Sequence, residues 1–211
     1  MTTYLLRHGR TPLSALHQVN GDPAAQVALD EVGLSQCEDV AKAAWLETIA
    51  TCATSRFLRT QQTADVLMER HPSVARSVEP RLDEINYGVF EGGPWLTYGA
   101  WLAEHGPLAR PPAGHESLYE ATTRMLVGLA SVLNLPGSRL VVGHGHLVSL
   151  IQRLQTQPVS LAGLRLPEAA YASPIVLRDD ELTACITTGQ ALLDQLATAE
   201  DIRLHGDDVA R

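Results

Sequence analysis

Four short apolar runs, each broken off by charged or titratable residues, constrain this chain more than any other feature. Thr3-Tyr4-Leu5-Leu6 ends at Arg7-His8-Gly9, and Leu140-Val141-Val142 ends at Gly143-His144-Gly145-His146. Between them, the run from Ile49 to Thr54 is followed by Ser55-Arg56-Phe57-Leu58-Arg59. Ala75 to Pro80 leads into Arg81-Leu82-Asp83-Glu84. Runs this short fit buried strands, and the helical patterns between them predict β-α alternation around a parallel sheet. In such a sheet the carboxyl ends of the strands share one edge, where ligands bind. His8, Arg59, Glu84 and His144, each placed in the loop after its strand, are therefore expected to converge.

The intervening helices are read from pattern and caps. Ser35-x-x-Glu38 reads as a capping box opening a helix to about Leu46. Further helices are expected over about 56–70, 116–133 and from Leu147 to Leu154. Arg178-Asp179-Asp180-Glu181 between two apolar runs predicts a hairpin turn, and the last dozen or so residues read as a polar tail. The segment from Gly92 to His115 breaks the alternation with Pro94, Trp95, Tyr98, Trp101, Pro107, Pro111 and Pro112. It reads as a small cap. The expected architecture is α/β, a three-layer sandwich. A mostly parallel central sheet carries helices on both faces and a cap insertion at about 92–115 within a single domain spanning residues 1–211.

Composition narrows the partners. A net charge of −8 argues against a nucleic-acid or anionic-membrane surface, and no apolar run approaches membrane-spanning length. Cys37, Cys52 and Cys185 are odd in number and lack zinc-like spacing; they read as buried apolar fillers in a reducing, cytoplasmic setting. The expected partner is a small phosphorylated molecule. No cofactor and no metal are called for, and oligomeric state is left open.

Taken in order, five motifs resemble the histidine phosphatase, or phosphoglycerate-mutase-like, superfamily. They are Arg7-His8-Gly9, Ser55-x-x-x-Arg59-x-x-x-Thr63-Ala64, Leu82-x-Glu84-x-x-x-Gly88-x-x-Glu91-Gly92, Pro112-x-Gly114-x-Glu116-Ser117 and Val141-Val142-Gly143-His144-Gly145. A softer piece, Leu29-x-x-x-Gly33-Leu34-x-Gln36, sits where the family starts its first helix. The resemblance implies a phosphoryl-transfer pocket in which His8 is the nucleophile, Arg7 and Arg59 grip the phosphate, and His144 contacts the transferring group. Guanidinium forks match phosphate oxygens better than lysine does. Glu84 would move the proton, with Asp83 and Glu91 close by as alternatives. Arg10, Ser14, Gly21, Trp95, His115 and His146 are further candidates for substrate contact.

Three positions depart from the family pattern. Arg10 stands where an acidic or amide residue is usual, Ser14 where an asparagine helps hold phosphate, and Gly143 where a small hydroxyl residue precedes the histidine. None removes a group the transfer needs. Within the class, the short stretch between Gly92 and Gly114 favours a phosphatase over a mutase, whose insertion is longer. A phosphoglycerate-type mutase and a silent module that binds phosphorylated ligands are the alternatives.

Overall fold

A computed structural model describes residues 1–156, 166 and 168–206, the last seven of these by backbone only. Five strands form one sheet: β1 Thr2–Arg7, β2 Ile49–Thr54, β3 Ala75–Val78, β4 Ser138–Gly143 and β5 Ile175–Arg178, in the spatial order β3-β2-β4-β1-β5. All neighbours pair in parallel except β5, which runs antiparallel to β1. Among the described residues the α-helices are α1 Pro12–Ala15, α2 Glu31–Val40, α3 Leu58–Met68, α4 Trp95–His105, α5 Leu118–Val132, α6 Gly145–Thr156 and α7 Asp179–Gly206.

Strand periodicity splits the core into two layers, because successive side chains leave a strand on opposite faces. Leu5, Ala53 and Val141 face a cluster built with Met125, Leu126 and Leu129 of α5, Leu147 and Ile151 of α6, and Leu182 and Ile186 of α7. Leu6, Cys52, Leu140 and Val142 face the other side, against Cys37 of α2 and Ala64, Leu67 and Met68 of α3. Helices thus cover both faces of the sheet. The three cysteines are buried and unpaired.

Some boundaries differ from those read in the sequence. The helix expected from Ser35 begins earlier, at Glu31, because Asp30 accepts from the Gly33 amide and caps it; it ends at Val40, and a 3-10 turn follows over Ala44–Thr48. The hairpin expected around residues 178–181 is absent. β5 passes directly into α7, whose first turn is Asp179-Asp180-Glu181, carboxylates that suit a helix N-terminus. The residues expected as the second hairpin strand are helical, with Leu182, Cys185 and Ile186 spaced onto one buried face. Helix also continues to Gly206 through most of the expected polar tail; residues 207–211 lie outside the described residues. Arg59 sits in the first turn of α3 instead of in a loop.

α5 starts at a capping box, with Ser117 and Glu120 exchanging side-chain and backbone bonds. In the 92–115 segment, α4 is the regular element. Tyr98 is buried, Trp101 is half-buried against Phe90 and Tyr98, and Trp95 is exposed. The start of α4 is pinned to the loop before it: Val19 donates to Gly93, Gly92 to Val19 and Trp95 to His17, main chain to main chain.

Candidate active site

β1 and β4 are neighbours, and Arg7 pairs with Gly143 at their carboxyl ends, so the next residue of each strand opens onto the same edge. The His8 amide donates to the Gly143 carbonyl at 3.0 Å, which locks the two turns together. As a result the His8 and His144 rings lie 5.4 Å apart, edge to face. Both are buried.

Each imidazole has its tautomer set by its partners. His8 Nδ1 is 2.7 Å from the Gly9 carbonyl oxygen, which can only accept, so Nδ1 carries the proton and Nε2 the lone pair. Arg59 Nε donates to that Nε2 at 3.0 Å. One Arg59 terminal nitrogen reaches His144 Nδ1 at 3.2 Å, while His144 Nε2 meets the Ser55 hydroxyl at 2.8 Å. The rest of the Arg59 fork is held by Asn20, through its side-chain oxygen at 2.6 Å and its carbonyl at 2.9 Å. One guanidinium therefore spans both histidines.

Electrostatics follow from burial beside fixed cations. Burial, then Arg59 and Arg7, push His8 well below the usual histidine range, so its imidazole is neutral near pH 7. His144 is pushed down in the same way, by burial first and then by Arg59 and His8. Burial lowers Arg59 itself to about 10, which still leaves it charged at neutral pH. Glu84 reaches within 3.9 Å of His144 Nδ1, and burial raises its carboxyl above the ordinary range against the pull of Arg59. A neutral imidazole, a fixed cation and a carboxyl group that holds its proton more tightly than usual are thus gathered in one buried cluster.

The remaining candidates separate by their contacts. Arg7 is mostly buried, with its Nε lying against Gly145. It donates to Glu168 at 3.1 Å, the Ala169 carbonyl at 2.9 Å and the Tyr171 hydroxyl at 3.0 Å, and stacks over the Tyr171 ring. Its charge still weighs on both histidines. Ser14 is spent on capping α1 with Thr11, and Arg10 ion-pairs with Asp30 at 2.9 Å, so neither joins the histidine cluster. Gly21 is a packing residue. A Cβ there would lie 1.7 Å from the Ile85 carbonyl oxygen, and its amide donates to Glu91. His146 bonds Thr122 and is pushed down to about 4 by burial, and then by Arg124. His115 is exposed, as is Trp95.

Of the alternative acids, Asp83 is taken by Arg56, and Glu91 accepts from the Gly21 and Tyr87 amides. Glu84 alone of the three approaches a site histidine. Sequence reasoning overlooked Asn20, Ser55 and Tyr171 as individual site residues. Ser55 stood inside a quoted motif, whereas Asn20 and Tyr171 carried no local signal. Among the described residues, no group of three or more His, Cys, Asp or Glu is placed to hold a metal ion.

The profile of the histidine phosphatase superfamily (branch 1) matches residues 3–183. The probable phosphoglycerate mutase GpmB of Yersinia pestis is 34% identical over 154 residues, spanning 69% of this chain and 70% of the relative. A mycobacterial glucosyl-3-phosphoglycerate phosphatase, solved as a complex with VO3, superposes with a TM-score of 0.67 at 26% identity, covering 84% of this chain and 92% of that one. The alpha-ribazole phosphatase of Shigella flexneri shares the fold, with a TM-score of 0.66 at 20% identity over 84% of this chain and 90% of its own.

Proposed function

Because the chain belongs to branch 1 of the histidine phosphatase superfamily, we propose that it hydrolyses a small phosphomonoester through a phosphohistidine on His8. The observation that carries this reading is the His8 ring, tied at Nδ1 to the Gly9 carbonyl so that Nε2 holds the lone pair, which accepts from Arg59 Nε until a phosphoryl group takes that bond over. In the first step Nε2 attacks phosphorus, the N–P bond forms, the ester P–O bond breaks, and Glu84 gives its proton to the departing oxygen. In the second, Glu84 takes a proton from water, whose oxygen attacks phosphorus. The N–P electrons return to Nε2 and inorganic phosphate leaves. Arg59, Arg7 and His144 neutralise the phosphoryl oxygens, which is most of what such a transfer asks of a protein. The fixed charge that the transfer needs comes from the two arginines, without a metal. The substrate is a small metabolite, and the unpaired cysteines fit a cytoplasmic setting.

Support for hydrolysis over transfer comes from the mycobacterial phosphatase and from the short cap, whose one regular element is α4. A phosphomutase is the second reading, favoured by the Yersinia pestis relative. Rapid quench of the protein with phosphate-labelled 3-phosphoglycerate and with p-nitrophenyl phosphate separates them. Acid-labile, base-stable label on wild type, absent from His8→Ala, with release of inorganic phosphate, is the expected result. Isomerisation of phosphoglycerate without phosphate release would establish the mutase. Label that persists in His8→Ala would remove His8 as nucleophile.

A further inference from the structure

Glu84 lies on a segment without regular structure, after the 3-10 turn Pro80–Leu82, yet a general acid must be held to a fraction of an ångström. The Ile85 amide donates to the Glu84 carboxylate at 3.0 Å, Arg56 grips the neighbouring Asp83, and one side chain of α5 ties the backbone around Glu84 together. Arg124 donates to the carbonyl oxygens of Arg81 at 2.9 Å, Asp83 at 3.0 Å and Glu84 at 3.3 Å. Its other bonds go to both carboxylate oxygens of Glu116, at 2.9 and 2.7 Å. All five guanidinium N–H groups are thereby used, three on the backbone around Glu84. Glu116 in turn accepts from the Asn86 amide at 3.2 Å, so the same ion pair grips the segment on both sides of Glu84.

We infer that Arg124 is a positioning residue for Glu84, fixing the carboxyl group opposite His144 through the backbone that carries it. The inference rests on the acid–base role proposed above for Glu84. Arg124 also acts at a distance, as one of the charges that pull the Glu84 carboxyl down against burial. The Ile85 amide bonds that carboxyl directly, and the other charged or titratable groups around it are Arg59, Arg7, His144, Tyr87 and Tyr98. Lysine could keep the charge but could not span three carbonyls and a carboxylate, because it offers a single point of attachment.

The test compares Arg124→Gln and Arg124→Lys with wild type and Glu84→Gln, using p-nitrophenyl phosphate and glycerol 3-phosphate. Only the second has a leaving oxygen that needs a proton. Turnover of glycerol 3-phosphate should fall about 10-fold to 100-fold in Arg124→Gln, against less than about 3-fold for the aryl ester. The basic limb of the pH profile should move upward in that variant, and return most of the way in Arg124→Lys. Independent of turnover, NMR should show the Glu84 carboxyl titrating higher in Arg124→Gln and faster exchange at the Ile85 and Asn86 amides. Equal losses on both esters with an unmoved limb would overturn the inference, as would unchanged Glu84 titration and amide exchange. If wild type hydrolyses neither ester, the proposed function fails and the NMR readouts alone decide the role of Arg124. Should Arg124→Gln not fold, Arg124→Lys carries the same comparisons: it should still discriminate against the alkyl ester, and an undiminished rate on both esters would refute the positioning role.

Discussion

Arg59 stands between His8 and His144, donating to Nε2 of the first at 3.0 Å and reaching Nδ1 of the second at 3.2 Å. The three groups come from α3 and from the ends of two adjacent strands. Their meeting therefore depends on the sheet order that brings β4 between β2 and β1. A phosphoryl group arriving at His8 would take over these Arg59 bonds, so the cation is already aimed where charge will lie.

That bridge predicts a large and specific effect at Arg59. Arg59→Lys retains the charge but not the fork, and should lower kcat/KM by about 10²-fold to 10³-fold, the usual size for a lost oxyanion donor. Steady-state kinetics on an aryl phosphate, with a thermal melt as control, reads it out. A loss under about threefold would mean that charge alone suffices at this position.

Asn20 predicts a second effect, because it holds the outer half of the Arg59 fork. Asn20→Ala should cost about 10-fold in kcat/KM, in the range of one hydrogen bond to a charged group. Asn20→Asp is the sharper probe. It preserves an acceptor for Arg59 but sets a negative charge beside the anion site, so KM and the inhibition constant for inorganic phosphate should rise more than in Asn20→Ala. An equal rise in the two variants would show that the site does not sense charge there.

Much of this site was legible in the sequence because it sits at strand ends. An apolar run that stops at a histidine is a local pattern, and the parallel pairing of Arg7 with Gly143 brings two such patterns into one cluster. Helix starts were less legible. Ser35-x-x-Glu38 satisfies the capping rule, but Asp30 makes the bond earlier and leaves Ser35 inside the helix. Around residue 180 the error was one of period: Leu182, Cys185 and Ile186 fit a strand as a short apolar run, and fit a helix by their spacing of three and four. Asn20 was illegible for a different reason. Its place is fixed by Gly21, which fits under the Ile85 carbonyl only without a side chain and is clamped by Glu91. None of those contacts is near in sequence.

The two tryptophans of α4 should behave differently. Trp101 is half-buried, packs against Phe90 and Tyr98 and stacks on His105, so Trp101→Ala should lower stability by about 2–3 kcal/mol. Trp95 is 55% exposed, at the point where the start of α4 is tied to His17. Trp95→Ala should leave the melting temperature within about 1 °C and alter the ranking of substrates across a panel of phosphomonoesters. An unchanged ranking would move selectivity away from this side chain.

Stability should fall as pH drops below the ordinary histidine value of 6.5, and the sign follows from where the protons bind. His8, His144 and His146 all titrate lower in the folded protein, the last at about 4, so below pH 6.5 the unfolded chain takes up protons that the native state refuses. The stability they confer is complete above 6.5 and lost as pH falls toward their folded values. Glu84 works the other way. Its carboxyl is raised by burial, so the native state gains relative to the unfolded one as pH falls through its folded value. Three histidines outweigh one carboxyl over the window from pH 6.5 to about 5, and the net slope is destabilising toward acid. Denaturant melts at half-unit pH steps measure that slope. His146→Gln lies outside the histidine pair and sets its amide where Nε2 bonds Thr122, so it should flatten the slope by removing one of the three titrating imidazoles. A curve that stays level between pH 7 and pH 5 in the wild type would mean these imidazoles are wet, and would undercut the neutral nucleophile on which the proposed chemistry depends.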